Sequence, residues 1–443
     1  MGSTADDRLN AMVVDNSGNL ITTGYYTGTV DFAGGGGDIN SIHSSLTYLG
    51  NYTKDIFVAK YDSAGRHLWS RSFGNDGNSE MGQAVAVDGS GNIYVAGKTT
   101  QGLNVRTIDF GCPNSDYQGA ALNAFIAKFN GQGQCQWVRY ISDDYDDVGT
   151  GVAVDGSGNV YMTGYFESSA SFDGQQFGGT TFTRVATGTL NGSGPSQYDG
   201  YLVKYNSNGV TQWVRRFGGS SSDQGHSVAI DPVDSGIVVT GTFYSSANFE
   251  DSDGGNKLPI ASGGDRDGLL VKYSSSGQLL WAIPVGTAGT DTLSDGVVDT
   301  SGNVWVTGLL GSQIYIAKYQ GSNRQLAWPA KFFSAGSVGS GNSISVDSSG
   351  TATIGGYINA TVDFGGGALT PQQADTFVVQ YTAGGAYVAG SGKLYGGGGY
   401  QFGMVTVSGS GNRILGGYFP DFVTFGSNSY SSAGSSDIFI YKP

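Results

Sequence analysis

The stretch Val85-Ala-Val-Asp88-Gly-Ser-Gly-Asn92 decides the fold, because it returns along the whole chain. Ala11-Met-Val-Val-Asp15-Asn-Ser-Gly-Asn19 precedes it, and Val152-Ala-Val-Asp155-Gly-Ser-Gly-Asn159 follows it. Later copies end their apolar run at Asp231, Asp299, Asp347 and Ser408. Counted between these end positions, the seven copies are 73, 67, 76, 68, 48 and 61 residues apart. A sequence motif that recurs at this spacing indicates a repeat protein.

Each copy is the start of a longer unit of four predicted strands, A to D. The third strand carries an apolar-Lys-aromatic signature, as in Phe57-Val-Ala-Lys60-Tyr61 and Tyr201-Leu-Val-Lys204-Tyr205. The fourth strand carries a tryptophan in five units, at Trp69, Trp137, Trp213, Trp281 and Trp328. Alternating, β-branched segments without a 3.6-residue apolar period predict strands rather than helices.

The units predict an all-β fold: a single seven-bladed β-propeller with four antiparallel strands per blade. One four-stranded sheet cannot bury both faces alone, so the sheets stack around an axis and form one domain, residues 1–443. The predicted blades cover approximately 8–74, 83–142, 150–218, 226–286, 294–333, 341–396 and 402–443. The last blade lacks its outer strand, because only six D strands can be counted.

The unit also resembles a known family. Val-Ala-Val-Asp-x-x-Gly-Asn-Val-Tyr-Val-Thr-Gly, then Asp-x-Phe-Val-Ala-Lys-Tyr and Leu-Trp-x-x-x-Phe-Gly, is similar to the bacterial seven-bladed β-propeller repeat (SBBP-type) family. The resemblance implies a propeller at the cell surface or secreted. It implies no shared reaction, because a fold hosts sites without defining them.

Composition and charge narrow the function. With 36 acidic and 22 basic residues the formal charge is −14, which argues against nucleic acid and anionic membrane surfaces as partners. No apolar run reaches the ~18 residues of a membrane span, and the first residues do not resemble a signal peptide. Three histidines, with no Gly-x-Ser-x-Gly elbow and no phosphate-binding loop, give no sign of catalysis or of a cofactor.

The connections differ between the two ends of the predicted sheets. A–B and C–D turns are short and uniform, and we interpret their Asp-x-Ser-Gly-Asn pattern as tight turns rather than calcium loops. The long B–C connections lie at the other end and run over Tyr25–Lys54, Lys98–Asn123, Tyr165–Tyr198 and Thr242–Arg266. A phenylalanine recurs in six of the seven B–C connections, and we predict that it anchors the loop to its blade: Phe32, Phe110, Phe172, Phe249, Phe364 and Phe425. Variable loops on a rigid scaffold usually bind ligands, so we predict that this face is the binding face.

An acidic residue also recurs eight positions before the end of strand A, on the same face: Asp7, Glu80, Asp147, Asp223 and Asp291. One interpretation is a carboxylate that accepts backbone amides and ties blades together. The other is an acidic ring around the channel that binds a cation or a polyhydroxylated ligand. A calcium ion is conceivable at Asp143, Asp144, Asp146 and Asp147, because calcium accepts several oxygen ligands in irregular geometry.

Two further expectations concern the cysteines and the chain end. Cys112 is predicted in a B–C connection and Cys135 in a C–D turn, at opposite ends, so we expect no disulfide between them. The missing D strand leaves the edge Asp437-Ile438-Phe439-Ile440-Tyr441 open, and a strand-donating partner or a second copy could pair with it.

The sequence therefore predicts a non-catalytic, extracellular or surface-displayed scaffold that binds a protein or glycan through the B–C face. Two alternatives stay open. The first is a polysaccharide hydrolase or lyase that uses the acidic central pocket. The second is a structural component of a virion or surface filament, docked by strand addition.

Overall fold

A computed structural model describes residues 1–33, 42–44, 47–48, 51–74, 80–99, 108–113, 123–142, 146–167, 169–172, 180–183, 198–219, 221–250, 256–334, 339–398, 402–408 and 411–443. All regular secondary structure in these ranges is β-strand. Within them, no helix is long and apolar enough to cross a bilayer.

The strands follow one another in chain order as β1 (Arg8–Val14), β2 (Leu20–Thr27), β3 (Thr29–Asp31), β4 (Ile42–Ser44), β5 (Thr47–Tyr48), β6 (Asn51–Tyr52), β7 (Lys54–Tyr61), β8 (His67–Phe73), β9 (Met81–Val87), β10 (Ile93–Thr99), β11 (Asn123–Phe129), β12 (Cys135–Ser142), β13 (Val148–Val154), β14 (Val160–Glu167), β15 (Ser169–Phe172), β16 (Thr180–Thr183), β17 (Tyr198–Tyr205), β18 (Thr211–Gly218) and β19 (Gln224–Ile230). They continue as β20 (Ile237–Glu250), β21 (Asn256–Tyr273), β22 (Leu279–Val285), β23 (Thr292–Val298), β24 (Val304–Leu310), β25 (Gln313–Tyr319), β26 (Lys331–Ser334), β27 (Gly339–Val346), β28 (Ala352–Ile358), β29 (Val362–Asp363), β30 (Ala368–Leu369), β31 (Asp375–Tyr381), β32 (Lys393–Gly398), β33 (Phe402–Val407), β34 (Arg413–Phe419), β35 (Phe422–Phe425), β36 (Asn428–Ser431) and β37 (Asp437–Tyr441).

One antiparallel pairing recurs along the chain: A with B, B with C, and C with D. The A strands are β1, β9, β13, β19, β23, β27 and β33; the B strands are β2, β10, β14, β20, β24, β28 and β34; the C strands are β7, β11, β17, β21, β25, β31 and β37; the D strands are β8, β12, β18, β22, β26 and β32. We call each set a unit, numbered in chain order. The predicted all-β fold of four-stranded antiparallel sheets is confirmed.

Neighbouring units pack through their A strands. Strand A of each unit contacts strand A of the next, and β33 of unit 7 contacts β1 of unit 1. Leu9, Met404, Ile414 and Ile438 share one buried core cluster at that last contact. The hydrophobic cores therefore lie between successive sheets, which is how small sheets bury both of their faces.

The B–C insertions cover the outer edges of preceding units. β15 of unit 3 pairs with β12 of unit 2, β20 of unit 4 with β18 of unit 3, and β35 of unit 7 with β32 of unit 6. These additions satisfy backbone groups that an edge strand otherwise exposes.

Unit 5 has no such insertion, because only Gly311 and Ser312 separate β24 from β25. In the described residues no strand covers the outer edge of β22, which carries Pro284 opposite Leu269. At the corresponding place in β18, the backbone N–H of Arg216 donates outward to Glu250 Oε2 over 3.3 Å. Proline removes that donor, so the bare edge is less able to add a strand.

The predicted phenylalanine anchors are confirmed where side chains are described. Phe32, Phe110, Phe249, Phe364 and Phe425 are at most 8% exposed. Phe110, for example, packs on Phe125 of its own unit and on Phe73 of the preceding D strand, with ring centroids 4.9 and 5.0 Å apart. The side chain of Phe172 lies outside the described residues.

The expectation about the cysteines is wrong: Cys112 and Cys135 form a disulfide, with Cα atoms 4.8 Å apart. The insertion does not stay at its own end of the sheet. Ile108, Phe110 and Cys112 join the core cluster of Phe125, Phe129 and Cys135, so the insertion runs along strand C to the start of strand D. Cys135 itself begins β12 rather than lying in the turn.

One tryptophan is also placed differently from the prediction. Trp69, Trp137, Trp213 and Trp281 lie in D strands, whereas Trp328 precedes the short strand β26 (Lys331–Ser334). Pro329 follows Trp328 directly, and proline has no N–H to donate to a sheet ladder, so β26 begins only at Lys331.

Candidate functional site

The two ends of the units carry different chemistry, and we name them by their connections. Because the strands alternate in direction, A–B and C–D turns share the turn end, and B–C and D–A connections share the loop end. The sequence placed the binding face at the loop end.

At the turn end, A–B turns are closed by their own aspartate. Asp88 Oδ1 accepts the backbone N–H groups of Ser90 and Asn92, both over 2.9 Å, and Gly91 has a φ of +80°. The same pattern occurs in turns that begin at Asp15, Asp155, Asp299 and Asp347. The interpretation as tight turns is confirmed, and the carboxylate is engaged within the turn.

The C–D turns at this end are held by the preceding unit. Trp137 Nε1 donates to Ser207 O over 3.1 Å, and Arg139 Nε donates to Gly209 O over 2.7 Å. Gly209 has a φ of +76°, and a Cβ there would lie 2.7 Å from Trp137 Cδ2. We call this contact the tryptophan clasp. It recurs from unit 1 to unit 2 and from unit 3 to unit 4.

The predicted acidic set at the loop end is buried. Asp7, Glu80, Asp147, Asp223 and Asp291 are all 0% exposed. Asp223 accepts the N–H of Gly219 over 2.8 Å and that of Tyr244 over 3.0 Å, and so joins the D–A connection to the end of strand B. Asp7 and Asp291 make the equivalent contacts. This geometry supports the interpretation as carboxylates that tie blades together, and it leaves the side chains no exposed surface for a ligand.

Burial changes the acidity of two members of this set. The pKa of Asp223 is raised to about 8, chiefly because burial removes the carboxylate from water. The two backbone N–H bonds lower this pKa, and the nearby Asp199 raises it. Desolvation likewise raises the pKa of Asp7 to about 6.

A second buried acidic series, at the start of strand C, was missed by the sequence analysis: Asp55, Asp199, Asp267, Asp375 and Asp437. The first four lie against a glycine near the end of a D strand, and Asp437 lies against Gly2. A Cβ on Gly218 would lie 2.6 Å from Asp199 Oδ1 and 3.0 Å from Asp223 Oδ2, so the two carboxyl groups flank that glycine. The signal was present in the sequence, since Asp-x-Phe-Val-Ala-Lys-Tyr and Phe-Gly recur together.

The described residues provide no set of calcium ligands at the predicted position. Asp143 and Asp144 lie outside the described residues, and Asp147 is fully buried. Among the residues that the structure describes, no three His, Cys, Asp or Glu side chains form a metal-binding group.

The predicted open edge Asp437–Tyr441 is partly occupied by the first residue of the chain. The amino group of Met1 donates to Ile438 O over 2.9 Å, and the Ile438 N–H donates to Met1 O over 2.7 Å. A Cβ on Gly2 would lie 2.0 Å from Asp437 Cγ, as Gly218 approaches Asp199 in unit 3. Met1 and Gly2 thus take the place that the end of strand D takes elsewhere. A partner strand at the rest of this edge stays a prediction.

The inner strands carry a row of polar residues that the sequence analysis did not single out. Six A strands have a register shift at one place, where Asn10, Gln83, Thr150, His226, Ser294 and Asn342 lie. Asn10 Nδ2 donates to Gly82 O over 2.8 Å, and His226 Nδ1 contacts Leu293 O over 2.9 Å, in each case in the next unit. Burial lowers the pKa of His226. These bulges therefore join neighbouring A strands.

Basic and aromatic side chains gather at the loop end where unit 7 meets unit 1. Arg8 Cζ lies 4.6 Å from the ring centroid of Tyr418 and 5.9 Å from that of Tyr25. Lys54 Nζ lies 4.4 Å from the Tyr25 ring centroid. Asp6 Oδ1 pairs with Arg8 Nε over 3.2 Å, and Asp6 Oδ2 accepts the hydroxyl of Tyr25. We call Asp6, Arg8, Tyr25, Lys54 and Tyr418 the basic–aromatic cluster.

The cluster lies at the inner rim of the loop end. Arg8 opens strand A, where it pairs with Tyr25 near the end of strand B. At the same pair of positions unit 2 has Met81 and Lys98, and unit 6 has Ser340 and Tyr357. Cations and half-buried tyrosine rings thus occupy contiguous units around the rim.

The repeated antiparallel sheets and their A-strand contacts define an all-β repeat protein of the propeller class. Residues 68–104 and 136–165 match the family described as Beta-propeller repeat (SBBP). These two segments match the repeat of this family, and the resemblance that the sequence implied is confirmed there.

Two curated proteins are similar to much of the chain. The Uncharacterized WD repeat-containing protein L264 of Acanthamoeba polyphaga mimivirus is 27% identical over 363 residues, covering 72% of this chain and 25% of that protein. The Regulatory protein FlaEY of Caulobacter vibrioides is 23% identical over 409 residues, covering 74% of this chain and 42% of that protein. This chain therefore spans less than half the length of either relative.

Solved structures include similar folds at low identity. The Dos1 propeller has a TM-score of 0.47 and 9% identity, over 100% of this chain and 93% of that chain. Hydrazine synthase of Kuenenia stuttgartiensis has a TM-score of 0.47 and 9% identity, over 99% and 97%. Both TM-scores are below 0.5, so the fold is defined by the strand pairing and not by these likenesses.

Proposed function

We propose that the protein is a non-catalytic binding scaffold, extracellular or surface-displayed, that engages a protein or glycan partner through its loop end. The observation that carries this proposal is the basic–aromatic cluster at the inner rim, where Arg8, Lys54 and Tyr418 come together on rigid strands. Tyrosine rings beside cations offer large contact surfaces with little conformational entropy to lose.

The scaffold in this proposal is a closed ring of seven blades, one for each unit. The contact of β33 with β1 supports closure, as does the pairing of Met1 with Ile438. Lys442 Nζ of unit 7 also donates to Ser63 O of unit 1 over 3.2 Å, as Lys128 does to Ser207 between units 2 and 3. A closed ring fixes the loop-end residues of all units relative to one another.

The turn end supports the choice of the loop end. Its C–D turns accept clasps from the preceding unit and its A–B turns are closed by their own aspartates, so these carbonyls and carboxylates are engaged within the fold. The disulfide Cys112–Cys135 is in keeping with an oxidising compartment, which supports an extracellular location.

Burial favours binding over the hydrolase or lyase alternative. The carboxylates that would act as catalysts, Asp147 and Asp223, have no exposed surface. A general acid or base must come within hydrogen-bond reach of the substrate, which a fully buried side chain does not offer.

A glycan array combined with product analysis tests the proposal. We expect retention of a defined oligosaccharide without release of shorter or unsaturated products, and loss of retention in Tyr418→Ala. Product release that disappears in Asp223→Asn, while the fold persists by circular dichroism, would assign the protein to the enzymes and overturn the proposal. Retention that Tyr418→Ala leaves unchanged would place the binding surface elsewhere.

A further inference from the structure

Among the described residues, the basic–aromatic cluster holds more positive than negative charge. Arg8 and Lys54 lie within it, and Lys98 of the neighbouring unit is close enough to Lys54 to act on its charge. Asp6 is the acid of the cluster, and it is already bonded to Arg8 and Tyr25. In the described residues, neither Lys54 nor Lys98 has a carboxylate within 4 Å.

Several other cations of this chain are matched by an acid. Lys60, Lys272 and Lys318 pair with Asp15, Asp231 and Asp299 over 2.7–3.0 Å. Arg216 pairs with Glu250 over 2.6 Å. In a protein of formal charge −14, three gathered cations form a local positive site.

The positive charge of Lys54 is disfavoured by its surroundings. Burial lowers its pKa, and the positive charges of Arg8 and Lys98 lower it further, while Asp6 acts in the opposite direction. An anion placed between these groups would relieve the repulsion, and a carboxylate is one of the anions that Arg and Lys bind with charge-assisted hydrogen bonds.

The rings beside these cations indicate what carries the anion. Tyr418 and Tyr357 are half-buried and lie at equivalent strand positions in adjacent units. Their rings offer apolar faces for the C–H groups of a pyranose, whereas a free phosphate or sulfate would need no aromatic surface. Tyr25 is only 3% exposed, and its ring packs beneath the ammonium group of Lys54.

We propose that this rim binds an acidic glycan, a polymer of uronic acid units, with the carboxylate on Arg8, Lys54 and Lys98 and a sugar ring on Tyr418. This inference rests on the proposed function and names the ligand class of the same site. Binding is expected to weaken as salt rises, because the cations are partly exposed and are screened by ions.

Isothermal titration of the full chain with hexagalacturonate, against neutral maltohexaose, tests the inference. We expect hexagalacturonate binding that Lys54→Gln weakens by about tenfold or more and that raising the salt concentration largely removes. The matched control is Lys331→Gln: Lys331 also lies over aromatic rings, 5.3 Å from Trp328 and 4.9 Å from Tyr381, but on an outer strand. It should leave the affinity unchanged.

The outcomes separate this inference from the proposal beneath it. Equal binding of the neutral and acidic hexasaccharides, or hexagalacturonate binding that Lys54→Gln leaves unchanged, overturns the acidic-glycan inference while the scaffold still binds. No hexagalacturonate binding, with retention of a neutral glycan lost in Tyr418→Ala, overturns the inference and leaves the proposed function standing. Failure of every glycan and protein probe to bind overturns both.

Discussion

The turn end and the loop end of the same sheets use similar residue types for different purposes. At the turn end, Trp137 and Arg139 close on Ser207 and Gly209 of the next unit, and both partners are backbone carbonyls. At the loop end, Arg8 and Tyr418 also stack, yet Lys54 beside them lacks an acid partner in the described residues. The difference teaches that an aromatic–cation pair that contacts a neighbouring turn is structural in this protein, whereas we propose that the pair at the loop end is available for binding.

The largest effect on stability is expected for Trp137→Ala. The side chain is 8% exposed and lies against Gly209 of the next unit, so its removal leaves a cavity in a seam between sheets. We expect the free energy of unfolding to fall by about 3–5 kcal/mol in a urea titration. Gln136→Ala, at the exposed neighbouring position, is the control and should change it little. Equal effects of the two would mean that the clasp does not stabilise the fold.

The glycine side of the same clasp should give the next largest effect. Gly209→Ala imposes a φ of +76° on an L-residue and places a Cβ 2.7 Å from Trp137. We expect a loss of about 1–3 kcal/mol in unfolding free energy. A Cβ added to Gly156, in a turn at the same end, would meet no atom within 4 Å, so Gly156→Ala should be nearly neutral. A neutral Gly209→Ala would contradict the close packing of turn on indole.

A pH-dependent effect is expected for Asp223→Asn at the loop end. The folded-state pKa of about 8 lies above the ordinary 3.8, so the native state binds the extra proton between these values. Stability from this group is therefore greatest below pH 4 and falls as pH rises from about 4 to 8. In thermal melts across this range, the wild type should lose stability relative to Asp223→Asn as the pH rises. A difference between the two proteins that does not vary with pH would refute the assignment.

The smallest effect on stability is expected within the basic–aromatic cluster. Lys54→Gln removes a charge that Arg8 and Lys98 repel, so the melting temperature should stay the same or rise slightly, by the equivalent of about 0.5 kcal/mol. Differential scanning calorimetry at low salt measures this change. A clear loss of stability would mean that Lys54 is a structural residue like Lys60, which pairs with Asp15.

Much of the fold could be predicted from the sequence because the pattern of each strand occurs in several copies of the repeat. The turn aspartates were also predictable because their partners are local, and the phenylalanine anchors because the residue recurs in six of the seven B–C connections. The disulfide was not, because the path of an insertion such as 108–112 depends on which core its Ile108 and Phe110 join.

The candidate site was even less predictable. Arg8 and Tyr418 are 410 positions apart and meet only because unit 7 packs on unit 1. The acidic set was visible as a pattern, but its burial depends on the D–A connection folding back over each carboxyl group, as Gly219 does over Asp223. The tryptophan clasp was hidden for the same reason, since its acceptor belongs to the next unit.

Covering each end in turn tests the central claim, that the loop end binds and the turn end only stabilises. The two native cysteines are paired, so a single cysteine can be introduced and coupled to a bulky polyethylene glycol maleimide. Thr361→Cys places it at the exposed loop end of unit 6, and Ser348→Cys places it at the exposed turn end of that unit. Titration with the oligosaccharide that the array retains should show binding abolished by the Thr361 label and unchanged by the Ser348 label. Binding blocked from the turn end, and preserved when the loop end is covered, would contradict the account.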